Sequence, residues 1–324
     1  MPAPLPRPPA VVDTVFDDPG LARTLIERHA PYWPVQRYFA NPEEQRALSA
    51  SRGAITVGPV FRGDWAYDRP LVDGIQPILD NARFAEAARQ VFDAAIVRPY
   101  IVYVNLSLPM PCGDAGHTDV PAFRGIDRTA YPVWLLVTMG RSGLFERWRV
   151  RIATAVAWFY AGRGGEFTYW PDGPDRAPIV RAMRTNTAVV GDNDVMFHRV
   201  EAIGGPDDDM IRGLTLDSEL RRGTGGEWEV GDGGRVLKRF PFEAIRISVS
   251  WKAQVFRDDE ARLVDGHADD LTFHQVLETL LADLGERGLA VARPDDPLHD
   301  PGFVATLAAA YRQSPSVYPW GRAA

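Results

Sequence analysis

The stretch "AIRISVSWKAQVF", residues 244–256, alternates from one residue to the next. Arg246, Ser248 and Ser250 fall on one side, and Ile245, Ile247, Val249 and Trp251 on the other, the period-two pattern of a β-strand with one polar and one apolar face. Facing solvent, this is an ordinary amphipathic strand. Facing the interior of a barrel, the same polar face is an anion site, because a guanidinium fork matches a carboxylate and Ser248 adds a hydrogen bond. Short β-rich runs separated by Gly, Pro and Asp fill the whole region 98–256: "YIVYVNLSL", "PVWLLVTM", "ATAVAWFYA", "EFTYWP", "NTAVVGDNDVMFHRV" and "EWEVGDGGRVLKRF". No helices alternate between them, which argues for an antiparallel sandwich or barrel rather than a parallel α/β sheet.

Outside that region the pattern turns helical. Residues 14–97 contain "DDPGLARTLIERH", "NPEEQRALSA" and "NARFAEAARQVF", with helix-start residues and apolar positions at helical spacing. Residues 257–324 contain "LTFHQVLETLLADLGERG", which ends on a glycine, and "DPGFVATLAAAYRQ". The expectation is a mainly β chain with flanking helices (α+β), forming one domain over 14–324 behind a disordered Pro-rich N-terminus, residues 1–13. Within the β region, 201–244 is polar and rich in Gly and Asp, with a hairpin signal at "VGDGGRV", and reads as a surface insert.

Composition narrows the function. With 324 residues, 45% hydrophobic and 24% charged, the chain buries a sizeable core. A net charge of -7 and the lack of an arginine-rich face argue against nucleic acid. A single cysteine, Cys112, excludes an intrachain disulfide framework and a Cys-rich zinc site. No uninterrupted run of about 18 apolar residues occurs, and no basic head precedes an apolar stretch at the start, so the expectation is a cytoplasmic protein without a membrane partner. Lys238 and Lys252 are the only lysines among 36 basic residues, which reflects codon bias.

The chemistry begins at "GHTDVPAF", residues 116–123. Given 6 histidines and 43 acidic residues, about one His-x-acid match arises by chance, so the tripeptide alone decides nothing. "HAD" at His267–Asp269 has the same spacing but opens onto a helix with no later ligand strand, and reads as a helix-entry loop. His117 and Asp119 instead follow the strand "YIVYVNLSLP"; if that strand or its continuation carries them, side chains two apart leave one face together. His198, in the apolar run "VMFHRV", supplies a third donor. Two histidines and one carboxylate on one face leave three adjacent octahedral positions open, which suits non-haem Fe(II) and oxygen chemistry.

In order and type, His117/Asp119, His198 and Arg246/Ser248 resemble the H-x-D, distal H and R-x-S elements of the Fe(II)- and 2-oxoglutarate-dependent dioxygenases. "GGEFTYWPDG" and "NTAVVGDNDVMFHRVEAI" resemble that family's Gly-Gly-Glu strand opening and the segment around its distal histidine. The likeness covers roughly 98–256. It implies a double-stranded β-helix (jelly-roll, cupin-like) core and Fe(II) held by His117, Asp119 and His198. It further implies 2-oxoglutarate as cosubstrate, with Arg246 and Ser248 on its far carboxylate and Tyr103 and Asn105 on the preceding strand in contact with it. With O2, the implied reaction hydroxylates a small molecule while 2-oxoglutarate is decarboxylated to succinate and CO2. Asp119 fills the coordination position a halide would need, which disfavours halogenation. The segment 201–244 sets Arg246 farther from His198 than is usual in the family, and Arg212 and Arg235 are the fallback anchors. The competing readings are a metal-dependent jelly-roll that does not use 2-oxoglutarate, such as a cupin-like dioxygenase or isomerase, which would leave Arg246 and Ser248 facing solvent, and a noncatalytic binding module. Gly164, Gly165 and Glu166 read as a turn and strand start, and Trp170, Arg124 and Arg141 as residues of flanking loops. Sequence leaves the primary substrate and the oligomeric state open.

Overall fold

A computed structural model describes residues 5–38, 57–114, 116–173, 176–205, 208–267 and 269–311. Among the described residues sixteen strands follow one another: β1 (Ala10–Val12), β2 (Trp33–Pro34), β3 (Val60–Tyr67), β4 (Arg69–Pro70), β5 (Ile96–Ser107), β6 (Ala122–Phe123), β7 (Arg149–Val150) and β8 (Ile152–Phe159) come first. Then come β9 (Phe167–Tyr169), β10 (Ile179–Arg181), β11 (Thr187–Gly191), β12 (His198–Val200), β13 (Glu219–Arg222), β14 (Trp228–Asp232), β15 (Arg235–Phe240) and β16 (Arg246–Phe256). One large antiparallel sheet has the order β1-β11-β8-β16-β5-β3-β2, with β4 paired to β3. A smaller sheet has the order β10-β9-β12. It is extended by an antiparallel bridge between His117 and His198. The chain crosses between the sheets as it runs from β5 through the His117 segment, β8, β9–β10, β11 and β12 to β16. This interleaving is that of a jelly-roll, or double-stranded β-helix.

Both faces of β16 are buried, for different reasons. Ile247, Val249, Trp251, Ala253 and Val255 enter the main apolar core. The alternate positions Arg246, Ser248, Ser250, Lys252 and Gln254 line a cavity of about 670 Å³. Helix Ala82–Phe92 covers the outer face of the large sheet. It starts at Asn81, whose side chain accepts from the Phe84 amide, and it buries Phe84, Ala87, Ala88, Val91 and Phe92. Phe84 meets the Trp251 ring at 5.5 Å, and Trp251 Nε1 donates to Leu79 O at 2.8 Å, so indole nitrogen and apolar body are both satisfied. Truncating Phe84 to Ala would cost about 3–5 kcal/mol.

Four sequence expectations need correction. "PVWLLVTM" is not a strand: Val133–Ser142 is a helix, entered from Pro132 in extended conformation and closed by Gly143 in the left-handed region. A short apolar run reads equally as buried strand or buried helix, and here its Trp134, Leu136 and Met139 pack with Leu277, Leu280 and Leu307 from the C-terminal helices Phe273–Glu286 and Pro301–Ala310. Residues 14–97 are not only helical, since β2, β3 and β4 extend the large sheet; Gly63 and Asp64 weaken the strand signal of β3. Residues 1–13 are not all outside the fold, because Ala10–Val12 pairs with β11. The segment 201–244 does contain the hairpin, β14–β15, but it is more than a surface excursion. Leu220, Trp228, Val230 and Phe240 join the main core, and Tyr32 stacks on Trp228 at 6.3 Å. "NPEEQRALSA" lies outside the described residues. Among the described residues no helix is long and apolar enough to cross a membrane.

Candidate functional site

Main-chain pairing brings the two histidines together. His117 N donates to His198 O at 2.9 Å and His198 N to His117 O at 3.0 Å, which leaves the imidazole centroids 4.6 Å apart. Gly116 makes this approach possible: its φ of +78° lies in the left-handed region, and a Cβ there would lie 2.4 Å from the Phe197 ring. Asp114 fixes the same turn by accepting from Gly116 N at 2.7 Å and Val200 N at 3.1 Å. Two residues beyond His117, Asp119 turns to the same side, its amide bonded to Asn193 O at 2.8 Å. Asp119 Oδ1 lies 3.9 Å from His117 Nε2 and 3.7 Å from His198 Nε2. One donor atom from each of the three residues falls within 4.8 Å of the others, the only such His/Cys/Asp/Glu group among the described residues.

The donors are oriented as ligands. His198 Nδ1 is 2.9 Å from Met196 O; a carbonyl can only accept, so Nδ1 carries the proton and Nε2 is left as a donor pair aimed at the site. Burial, reinforced by repulsion from His117, pushes the His198 imidazolium down to about 4, so the ring is neutral at neutral pH. Burial alone would raise the Asp119 carboxyl, but the Lys252 ammonium and then the two histidines outweigh it and hold the carboxyl well below its usual range. Its Oδ2 accepts from Lys252 Nζ at 2.7 Å and from Thr154 Oγ1 at 3.3 Å. The His117 side chain is 57% exposed whereas those of Asp119 and His198 are 11% and 7% exposed, so the cavity opens past His117. Two imidazoles, that of His198 neutral, an ionised carboxylate and one open side fit a divalent transition metal with exchangeable positions.

Arg246 lies in the same cavity, 1% exposed. Its Nε donates to Gly165 O at 2.7 Å and one terminal nitrogen reaches Met183 Sδ at 3.6 Å. Among the described residues no carboxylate lies within ion-pair distance of it, and desolvation pushes the guanidinium down to about 10. Asp114, Tyr160 and Glu166 offset that desolvation only in part; a buried cation with no paired carboxylate is costly, and an anionic ligand satisfies it. Gly165 permits the contact: its φ is +75°, and a Cβ would fall 2.6 Å from Arg246 Cδ. That is the structural content of "GGEF". Ser248 stands beside Arg246 on β16, paired with Asn105 of β5, while Ser250 pairs with Tyr103. Asn105 Oδ1 is buried without a hydrogen-bond partner, and Tyr103 carries the Arg62 guanidinium 3.7 Å above its ring.

His117, Asp119, His198, Arg246, Ser248, Tyr103 and Asn105 therefore all face one cavity. The fallback residues Arg212 and Arg235 are exposed on the 201–244 segment. The decoy is not a cluster either: His267 pairs with Asp270, and Asp269 with Arg147. Trp170 is fully buried against Phe197, and neither it nor Arg124 lines the cavity; Arg141, at the end of its helix, does. Sequence reasoning missed Lys252, Thr154 and Asp114. Lys252 continues the alternation of Arg246, Ser248 and Ser250, and that continuation was the available signal.

No family model matches the chain, and no curated protein does. Solved structures similar to it include an oxidoreductase of the 2OG-Fe(II) oxygenase family from Burkholderia pseudomallei, at 15% identity over 76% of this chain and 84% of that one, TM-score 0.40. A prolyl-4-hydroxylase from Pseudomonas putida is 13% identical over 78% of this chain and 94% of that one, TM-score 0.36. HygX from Streptomyces hygroscopicus, solved with nickel, 2-oxoglutarate and hygromycin B, is 9% identical over 77% and 83%, TM-score 0.34.

Proposed function

We propose that the protein is an Fe(II)- and 2-oxoglutarate-dependent oxygenase that hydroxylates a small-molecule substrate. The observation that carries this reading is the pairing, in one cavity, of a His117–Asp119–His198 donor set with a buried Arg246 that has no carboxylate partner. A divalent metal fits the first and a carboxylate the second. A ligand with a chelating 2-oxo acid at one end and a free carboxylate at the other satisfies both.

In this reading His117, Asp119 and His198 hold Fe(II), which when bound supplies the oxygen chemistry that couples decarboxylation of 2-oxoglutarate to oxidation of substrate. Arg246 and Ser248 hold the far carboxylate; Gly165 O anchors the guanidinium through Nε and Met183 Sδ meets Nη2, which leaves Nη1 for the ligand. Asn105, paired with Ser248 across β5 and β16, lines the same wall, and Tyr103 closes it under Arg62. The walls hold water away from Asp119 and His198, and the exposed side of His117 is where substrate approaches. A jelly-roll enzyme that does not use 2-oxoglutarate would leave Arg246 and Ser248 facing solvent; both are buried. The test is oxygen-dependent formation of succinate from 2-oxoglutarate by protein loaded with Fe(II). Turnover that disappears in Asp119→Ala supports the assignment. Wild-type protein that holds Fe(II) yet neither binds nor consumes 2-oxoglutarate overturns it.

A further inference from the structure

We propose that Lys252 is a positioning residue of the metal centre, holding Asp119 to ligation through a single oxygen and cancelling that ligand's charge. The inference rests on the iron and 2-oxoglutarate reading above. The two carboxylate oxygens have separate tasks. Oδ1 faces both Nε2 atoms, at 3.7 and 3.9 Å. Oδ2 is taken by Lys252 Nζ at 2.7 Å and by Thr154 Oγ1 at 3.3 Å. The ammonium cannot leave for water, because its side chain is 9% exposed and β16 is hydrogen-bonded on both sides, to β5 and β8.

Two consequences follow from this geometry. Three protein ligands and a chelating 2-oxo acid leave one octahedral position, and a second carboxylate oxygen on the metal would fill it; Lys252 keeps that oxygen engaged elsewhere. The charge matters as well. A divalent metal with two neutral imidazoles and one carboxylate carries a net single positive charge, which the Lys252 ammonium raises to two. That disfavours the metal and favours a dianionic cosubstrate. Lys252 thus shifts the two affinities in opposite directions. A lysine that merely filled space or steadied the fold would shift them together.

The test compares wild type with Lys252→Met, which removes donor and charge, Lys252→Gln, which keeps a donor without charge, and Lys252→Arg, which restores both. Calorimetry measures Mn(II) binding and then 2-oxoglutarate binding to the Mn(II)-loaded protein, with circular dichroism confirming that each variant is folded. Expected for Lys252→Met, from the loss of the ammonium charge, is Mn(II) binding about tenfold tighter and 2-oxoglutarate binding about tenfold weaker, with Lys252→Gln between and Lys252→Arg near wild type. Both affinities falling together, or neither moving, in the folded neutral variants overturns the proposal. Water-proton relaxation of the wild-type Mn(II)–2-oxoglutarate complex gives a check that needs no variant. One exchangeable bound water is expected, and a complex with none overturns the proposal. If wild type binds neither Mn(II) nor 2-oxoglutarate, the functional reading itself fails.

Discussion

Replacing Arg246 with Met separates stability from binding. Desolvation holds the guanidinium down from 12.5 to about 10, a cost of about 3 kcal/mol at every pH below about 10. Met fills a similar volume without that cost. It gives up the Nε bond to Gly165 O and strands that acceptor, a loss of about 1–3 kcal/mol. The balance leaves the ligand-free protein about 0–2 kcal/mol more stable than wild type. Urea unfolding near neutral pH measures it. Removing one partner of a buried ion pair would instead lose about 3–5 kcal/mol. With Mn(II) present, 2-oxoglutarate at a hundred times its wild-type dissociation constant adds about 2.7 kcal/mol to wild type by mass action, and only about 0.4 kcal/mol to Arg246→Met, whose affinity is about a hundredfold weaker. A ligand-free loss of about 3 kcal/mol or more would refute the reasoning, since Arg246 would then already be paired within the protein. So would an undiminished stabilisation of Arg246→Met by 2-oxoglutarate.

Three further outcomes are expected. Asp119→Ala abolishes metal binding and leaves the buried Lys252 ammonium without its partner, so urea unfolding shows a loss of about 3–5 kcal/mol even without metal. Asp194, fully buried with both carboxylate oxygens unpartnered, has its carboxyl pushed up by burial to about 7. A raised carboxyl stabilises the fold below the unfolded value near 4 and loses that contribution as pH rises toward 7. Wild type therefore loses up to about 4 kcal/mol relative to Asp194→Asn between pH 4 and 7, visible as diverging unfolding midpoints. Gly165→Ala, with a Cβ 2.6 Å from Arg246 Cδ at a φ of +75°, weakens 2-oxoglutarate binding at least tenfold while Mn(II) affinity, set on the other strands, stays near wild type in calorimetry.

The site was legible where its geometry is local. Arg246 and Ser248 lie two apart on β16, so period-two reasoning alone puts them on one face; His117 and Asp119 lie past the end of β5 at Ser107, and Asp119 is turned to the same side with its amide bonded to Asn193 O. His198 needed the order of the motifs, because its partner lies 81 residues away and only the bridge between their main chains brings the rings together. Lys252 escaped for a similar reason: its contact with Asp119 spans 133 residues, and a lysine reads as solvated unless its strand is known to face a cavity. The fold shows the same division. Strands with clean alternation, such as β5 and β16, were visible, while the apolar run at Val133–Ser142 carried no periodicity able to tell helix from strand. β1 and β3 were missed because Pro, Gly and Asp in and around them weaken a strand signal that tertiary pairing then overrides.

The most direct test of the account is an anaerobic titration of Fe(II)-loaded protein with 2-oxoglutarate, followed by visible absorption, with Asp119→Ala and Arg246→Met in parallel. The account predicts a saturable metal-to-ketoacid charge-transfer band that is absent in Asp119→Ala and that in Arg246→Met requires about a hundredfold more 2-oxoglutarate to appear. A wild-type protein that binds Fe(II) but shows no band, or a band that saturates identically in Arg246→Met, would contradict it.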